Sequence, residues 1–343
     1  MTSYRTRWCC LAVAVAIAML TDFGVLAQSA GPNRITLHVA AVEPRGAGWS
    51  RAFDEWDRML RRETNGRLGL TLERRPAGDE RAIIDRLRAH RIDGASLTEL
   101  GIAQVAPRAM VLRAPDLFDE HASLDRARSR MDRPLRAAFA ASGLLLVGWS
   151  DYGRTRVFSS RPIAHPADLR ATRPWVWAPD GISPAVLEII GTTRTVRPER
   201  SLRGEVLAGR VSTVMAPASV VAQLLQGTRF AHVTEDPRGI VLGAIVFDSH
   251  RVASLAPELR AALVSTGESA RASLQHAAIA DDDVSYAALV SAGTQPVPTD
   301  AHRTAWQVLA HSARAHLVGQ LYSQHQLDTA SVLTSPGVLP VPE

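Results

Sequence analysis

At 343 residues the chain is long enough for two lobes of ordinary domain size, and its 46% hydrophobic residues can fill their cores. Lysine is absent, so all 39 basic residues are arginine, which excludes Schiff-base chemistry and any phosphate loop built on a lysine. The formal charge of +5 is interleaved with acid, as in Arg81, Asp85, Arg86, Arg88 and Asp93, and this points away from nucleic acid as a partner.

Arg5 and Arg7 precede an apolar run from Trp8 to Leu20, and Val25-Leu26-Ala27 closes the segment with small or medium residues. This layout predicts a secretory signal peptide over residues 1–27, cleaved after Ala27, and a periplasmic destination. The run is about 13 residues, short of the roughly 20 that span a bilayer. Cys9 and Cys10 are the only cysteines, and both lie within the signal. The mature chain is therefore expected to lack disulfides, thiolate nucleophiles and cysteine-bound metal.

Ile35–Val39 reads as a first strand, followed by a turn containing Pro44, Gly46 and Gly48. A helix follows with Phe53, Trp56, Met59 and Leu60 on one face, and Asn65-Gly66 stops it. Leu68, Leu70 and Leu72 alternate as a second strand, Ile83, Ile84 and Leu87 mark a second helix, and Ala95-Ser96-Leu97 a third strand. A helix over Leu124–Ala141 leads to the apolar strand Leu144–Val147. From about Val157 a second block repeats the rhythm, with Trp175–Trp177 and Val211–Met215 as strands and Pro184–Ile190 as a helix between them. Gly239–Phe247 is the last clear strand, and long helices over Pro257–Val290 and Asp300–Tyr322 complete the pattern. Such alternation predicts an α/β fold with mainly parallel sheets covered on both faces.

Catalytic signatures are missing: there is no Gly-x-Ser-x-Gly elbow, no His-Glu-x-x-His and no Walker motif. His302, His311, His316 and His325 are spaced so that at most two share a helical face, and they read as exposed helix histidines. Asp281-Asp282-Asp283 lacks calcium-loop spacing and reads as a solvated helix face. No cofactor and no metal is implied.

The order of local patterns between residues 35 and 263 resembles the solute-binding proteins of tripartite ATP-independent periplasmic (TRAP) transporters, the DctP family. Trp49, Phe53 and Trp56 are similar to that family's opening helix, and Thr64-Asn65-Gly66-Arg67-Leu68 to its turn into the second strand. Ile92-Asp93-Gly94-Ala95, Ala114-Pro115-Asp116-Leu117-Phe118 and Arg161-Pro162-Ile163 through Asp168-Leu169 resemble further family segments. So do the run from Trp149 through Gly153, the stretch Val211–Pro217 and Leu255-Ala256-Pro257-Glu258-Leu259-Arg260.

The resemblance implies a two-lobed periplasmic-binding-protein fold of type II-like architecture, with a long C-terminal helix bracing both lobes. Residues 28–150, with C-terminal return segments, would form the first lobe and residues 151–250 mainly the second. Residues 251–322 would brace them, and 323–343 would form a C-terminal tail, proline-rich and loose from Pro336 to Pro342. It also implies capture of a small organic solute by lobe closure and delivery to the membrane permease subunits of a TRAP transporter, by a monomer or dimer.

Departures from the family pattern fall on its ligand site. Where the family carries an arginine for the ligand carboxylate, this chain has Trp175, with Arg173 two residues before it. Ala216 replaces the usual asparagine, with Met215 beside it. Trp175 and Trp177, two apart on a strand, would share one face and offer an aromatic surface. Trp149, Asp151, Tyr152 and Arg154 fall at a strand end between the lobes, and Glu43, Arg45 and Trp49 follow the first strand, at the edge where open α/β sheets bind ligands. The candidate ligand-binding set is thus Glu43, Trp49, Asp151, Arg154, Arg173, Trp175, Trp177, Met215 and Ala216. Two other classes fit the same residues: a ligand-sensing or orphan binding protein, and a periplasmic enzyme using Asp151 or His38, the latter read as a core histidine.

Overall fold

A computed structural model describes residues 34–41, 47–73, 79–177, 180–192, 201–225 and 230–333. Residues 1–33, which include the expected signal peptide, together with Glu43, Arg45 and the tail from 334 onward, lie outside the described residues.

The chain begins with β1 (Ile35–Ala41), α1 (Ala47–Glu63), β2 (Leu68–Glu73), α2 (Glu80–Arg88) and β3 (Gly94–Thr98). β1 runs parallel to both β2 and β3, as helix-linked strands do. The turn after α1 places Asn65 and Gly66 at positive φ, 51° and 76°, so a short polar residue and a glycine suit it. Next come α3 (Glu99–Val105), a 3-10 turn (Pro107–Arg113), α4 (His121–Arg130), α5 (Asp132–Ala140) and β4 (Leu144–Trp149). The single helix expected over Leu124–Ala141 is two, broken at Met131, because Pro134 fits only the first turn of a new helix.

Past β4 the chain crosses through β5 (Gly153–Arg154) into β6 (Arg156–Ser159), then α6 (Ser183–Ile190), α7 (Leu202–Leu207), β7 (Thr213–Ala216), α8 (Ala218–Leu224) and β8 (His232–Thr234). It returns through β9 (Ile240–Val241) to β10 (Gly243–Asp248). The remainder is α9 (Ser249–Ala253), α10 (Pro257–Ser291), β11 (Gln295–Val297), α11 (Arg303–Leu317) and α12 (Gln324–Val332).

Two main sheets result, in the orders β2-β1-β3-β10-β4 and β11-β8-β6-β7. β5 and β9 pair antiparallel in a two-stranded ribbon, so the outgoing and returning crossings lie side by side. The first sheet is mixed, not mainly parallel: β10 runs antiparallel to β3 and β4. It arrives from the second sheet instead of through a local crossover helix, so the rule that makes βαβ strands parallel does not bind it. The second sheet is also mixed, with β6 antiparallel to both neighbours.

Trp49, Phe53, Trp56 and Leu60 form the buried stripe of α1, packed with Leu37, Leu259, Leu263 and Leu274 over one face of the first sheet. Ile83, Ile84, Leu87 and Leu97 lie in a separate cluster that takes in α2 to α5. Phe158, Val214 and Val233 centre the second sheet's core. His38 is exposed, not a core histidine; its neighbours Leu37 and Val39 take the buried face.

The acidic run on α10 corrects the expectation of a solvated face. Asp281 accepts hydrogen bonds from the backbone N–H groups of Gly48 (3.2 Å) and Trp49 (2.9 Å), at the start of α1. Asp282 is buried and accepts from the N–H groups of Ser219 (3.0 Å), in the first turn of α8, and Arg154 (3.2 Å), in β5. Only Asp283 is exposed. Three of these four amides, those of Gly48, Trp49 and Ser219, are ones that helix starts leave without intrahelical partners. The four C-terminal histidines are exposed, as expected. Among the described residues no helix is long and apolar enough to cross a membrane, and no cluster suits a metal ion.

Candidate functional site

A cavity of about 920 Å³ is walled by elements of both main sheets and by the β5–β9 crossing. Its size is near the top of the ~300–1,000 Å³ usual for small-molecule sites. Glu99, Arg113 and Asp116 come from the first-sheet side, Tyr152, Thr155 and Val241 from the crossing. Trp175, Trp177, Met215 and Ala216 come from the second, and Trp306 with Leu309 from α11.

The segment carrying the two tryptophans is not a strand. Pro174 makes only an isolated bridge to Thr213, and the Trp175 N–H donates to the Thr213 carbonyl at 2.8 Å. Proline has no N–H to extend a ladder, so the β-rich composition of Trp175–Trp177 is not realised as one. The two rings still meet, edge to face, with centroids 5.4 Å apart. Trp175 is buried and Trp177 half-buried. The indole Nε1 of Trp175 and the hydroxyl of Thr155 have no hydrogen-bond partner among the described residues. An unmet buried donor costs about 1–3 kcal/mol, which an acceptor on a bound solute could offset.

Charge in the cavity is arranged as pairs. Arg113 donates through Nε to Glu99, with a second contact of 3.4 Å. Arg238 donates to the Thr299 hydroxyl (2.6 Å), lies 3.9 Å from Asp116 and stacks over the Trp306 ring at 4.6 Å. Burial raises the pKa of both Glu99 and Asp116, and lowers that of Arg238. Asp180 is held by the N–H groups of Ile182 (2.8 Å) and Ser183 (3.1 Å) at the start of α6.

Of the nine residues selected from sequence, Trp175, Trp177, Met215 and Ala216 line the cavity together. Trp49, Asp151, Arg154 and Arg173 are not among its walls, and Glu43 lies outside the described residues. Trp49 is a core residue whose Nε1 donates to Ser150 Oγ at 2.8 Å. Asp151 is fully buried against Arg128, which donates to its two oxygens at 2.6 and 2.9 Å. Burial alone would raise its pKa, but Arg128 and a hydrogen bond from His121 hold it well below the usual carboxylate range. Arg154 is half-buried on β5, and Arg173 is exposed, donating to the carbonyls of Gly209 (2.6 Å) and Arg210 (3.2 Å).

Sequence reasoning missed Arg113, Arg238, Glu99 and Trp306. Arg113 ends the 3-10 turn just before the Ala114–Phe118 pattern, which was a usable signal. Arg238 and Trp306 are brought together only by the fold.

The profile of the bacterial extracellular solute-binding proteins, family 7, matches residues 39–317. A TRAP periplasmic solute-binding protein from Shewanella oneidensis, solved with bound succinate, superposes with a TM-score of 0.78 at 13% identity, covering 88% of this chain and 100% of that one. One from Desulfovibrio salexigens with bound orotic acid gives 0.77 at 16% identity, covering 87% and 98%. One from Roseobacter denitrificans with bound β-D-glucuronate gives 0.76 at 15%, covering 87% and 99%. The fold is therefore the two-lobed architecture of these proteins, and with most of its length matched by the family profile, the chain belongs to the bacterial extracellular solute-binding proteins of family 7.

Proposed function

We propose that the chain is the periplasmic solute receptor of a TRAP-type transporter. In this reading residues 1–27 direct export and are removed, and the remaining chain captures a small organic solute between its lobes. Closure about β5 and β9 then presents the loaded form to a membrane permease. The cavity itself carries the proposal: it draws its walls from both sheets and from the two strands that join them. Binding without turnover agrees with the family and with a site whose ionisable groups are engaged by one another. Trp175, Trp177, Met215 and Ala216 would contact the solute. The similar proteins were solved with succinate, orotic acid and glucuronate, so organic acids belong in any screen.

The test is a thermal-shift screen against organic acids, amino acids and neutral aromatic metabolites. A solute at 100 times its Kd adds about 2.7 kcal/mol to folded-state stability and raises Tm. Trp177→Ala should keep the unliganded Tm close to the parent's and lose at least ten-fold in affinity. A Trp177→Ala variant that binds as the parent does would remove the cavity from the proposal.

A further inference from the structure

The charges in the cavity indicate which solutes it accepts. Among the described lining residues, five carboxylates face four guanidiniums, and each carboxylate already has a partner. Glu99 is paired with Arg113, Asp116 lies by Arg238, and Asp180 caps α6. Asp79 accepts from the Ala82 N–H at 3.1 Å, and Glu80 from the Thr98 hydroxyl at 2.5 Å. Of the arginines, Arg81 and Arg203 are exposed, while Arg113 and Arg238 are the two paired inside. A solute carboxylate seeking one of the two buried guanidiniums, Arg113 or Arg238, would compete with Glu99 or Asp116 and would add a negative charge beside them. A solute cation would find four of the five carboxylates hydrogen-bonded and Asp116 already beside Arg238.

The remaining wall is aromatic and aliphatic. Trp175, Trp177 and Trp306 present rings, and Val157, Met215 and Leu309 stand among them. Trp175 Nε1 and the Thr155 hydroxyl are donors without partners among the described residues and are shut off from water, so an oxygen acceptor would engage them as the guest displaces the side chains that cover them. We infer that the cavity takes an uncharged, ring-bearing solute carrying a carbonyl or hydroxyl oxygen, in preference to a carboxylate. This rests on the solute-receptor reading above and names its ligand class.

Matched probes separate the two ideas. Purified protein is titrated calorimetrically with cinnamamide against cinnamate and indole-3-acetamide against indole-3-acetate, with succinate as an aliphatic acid. Each amide should bind at least ten-fold more tightly than its acid. Glu99→Gln, which strips Arg113 of its counter-charge, should move the amide-to-acid ratio about ten-fold toward the acid. Asp116→Asn frees Arg238 and should move it the same way, so the inference stays testable if one variant fails to fold. Acids that outbind their amides, or ratios that neither folded variant changes, would overturn the ligand class while leaving the receptor reading in place. If no probe and no member of the broader screen binds protein that melts cooperatively, both readings fall.

Discussion

Two buried charge clusters differ in how completely they are satisfied. Behind the end of β4, Asp151 receives both arms of the Arg128 guanidinium, the Gly243 N–H at 3.2 Å and a 3.4 Å contact from His121. Arg128 also lies over the Trp149 ring at 4.3 Å. In the cavity, the Arg113–Glu99 pair is two-pronged but uneven, and Arg238 stands 3.9 Å from Asp116, beyond hydrogen-bonding distance. All these groups are largely removed from water, so burial does not separate the clusters. Geometry does: a fork matched to a carboxylate locks a crossing in place, whereas the looser pairs can respond to a guest.

The largest effect should come from breaking the locked cluster. Arg128→Leu leaves Asp151 buried without its counter-charge and should cost about 3–5 kcal/mol in urea unfolding. Adding Asp151→Leu should restore much of that loss, and a double variant no better than the single would mean the pair is not the main contribution. Next is the ribbon between the lobes. Gly153 has φ +136°, and a Cβ there would lie 2.7 Å from the Asp282 carboxyl carbon. Gly153→Ala should cost about 1–3 kcal/mol and weaken solute binding, because it strains a crossing strand.

A subtler comparison uses pH. The folded pKa of Asp151 is lowered, so its contribution is present above the unfolded value of about 3.9 and is lost as pH falls through the folded value. Asp116 has the opposite sign. Its folded pKa is raised, so its contribution is full below about 3.9 and fades as pH rises through the folded value. Asp151→Asn should flatten the acid limb of the stability curve. Asp116→Asn should have the smallest effect, gaining on the parent at pH 7 relative to pH 4. An Asp116→Asn variant that loses ground at pH 7 would show that its pairing with Arg238 is as tight as the Asp151 cluster.

Local patterning was enough for much of this fold. The alternation in Leu68, Leu70 and Leu72 and the stripe of Phe53 and Trp56 are decided by burial against near neighbours, and both elements formed where expected. β10 was visible as a strand, but its antiparallel place between β3 and β4 depends on partners far along the chain. The aromatic half of the cavity was legible because Trp175 and Ala216 depart from a family pattern, with Trp177 two residues from the one and Met215 beside the other. Its charged half was not. Arg113, Arg238 and Trp306 sit in three separate segments, and an arginine-rich chain gives no local reason to prefer these guanidiniums over the rest. Asp281 and Asp282 were misread for a related reason, since a carboxylate on a long helix looks solvated until the helix starts that abut it are known.

That adjacent pair constrains how this protein can change over generations. Successive helix residues point about 100° apart, which lets Asp281 reach the start of α1 while Asp282 reaches that of α8. Adding or deleting one residue upstream in α10 would turn both carboxylates away while Leu259 and Leu263 stayed seated. The stretch between Leu263 and Asp281 is therefore closed to changes in length, and substitution there should concentrate on its exposed positions, such as Glu268, Ser269 and Ser273, while the buried Leu274 and Ala278 keep their seats.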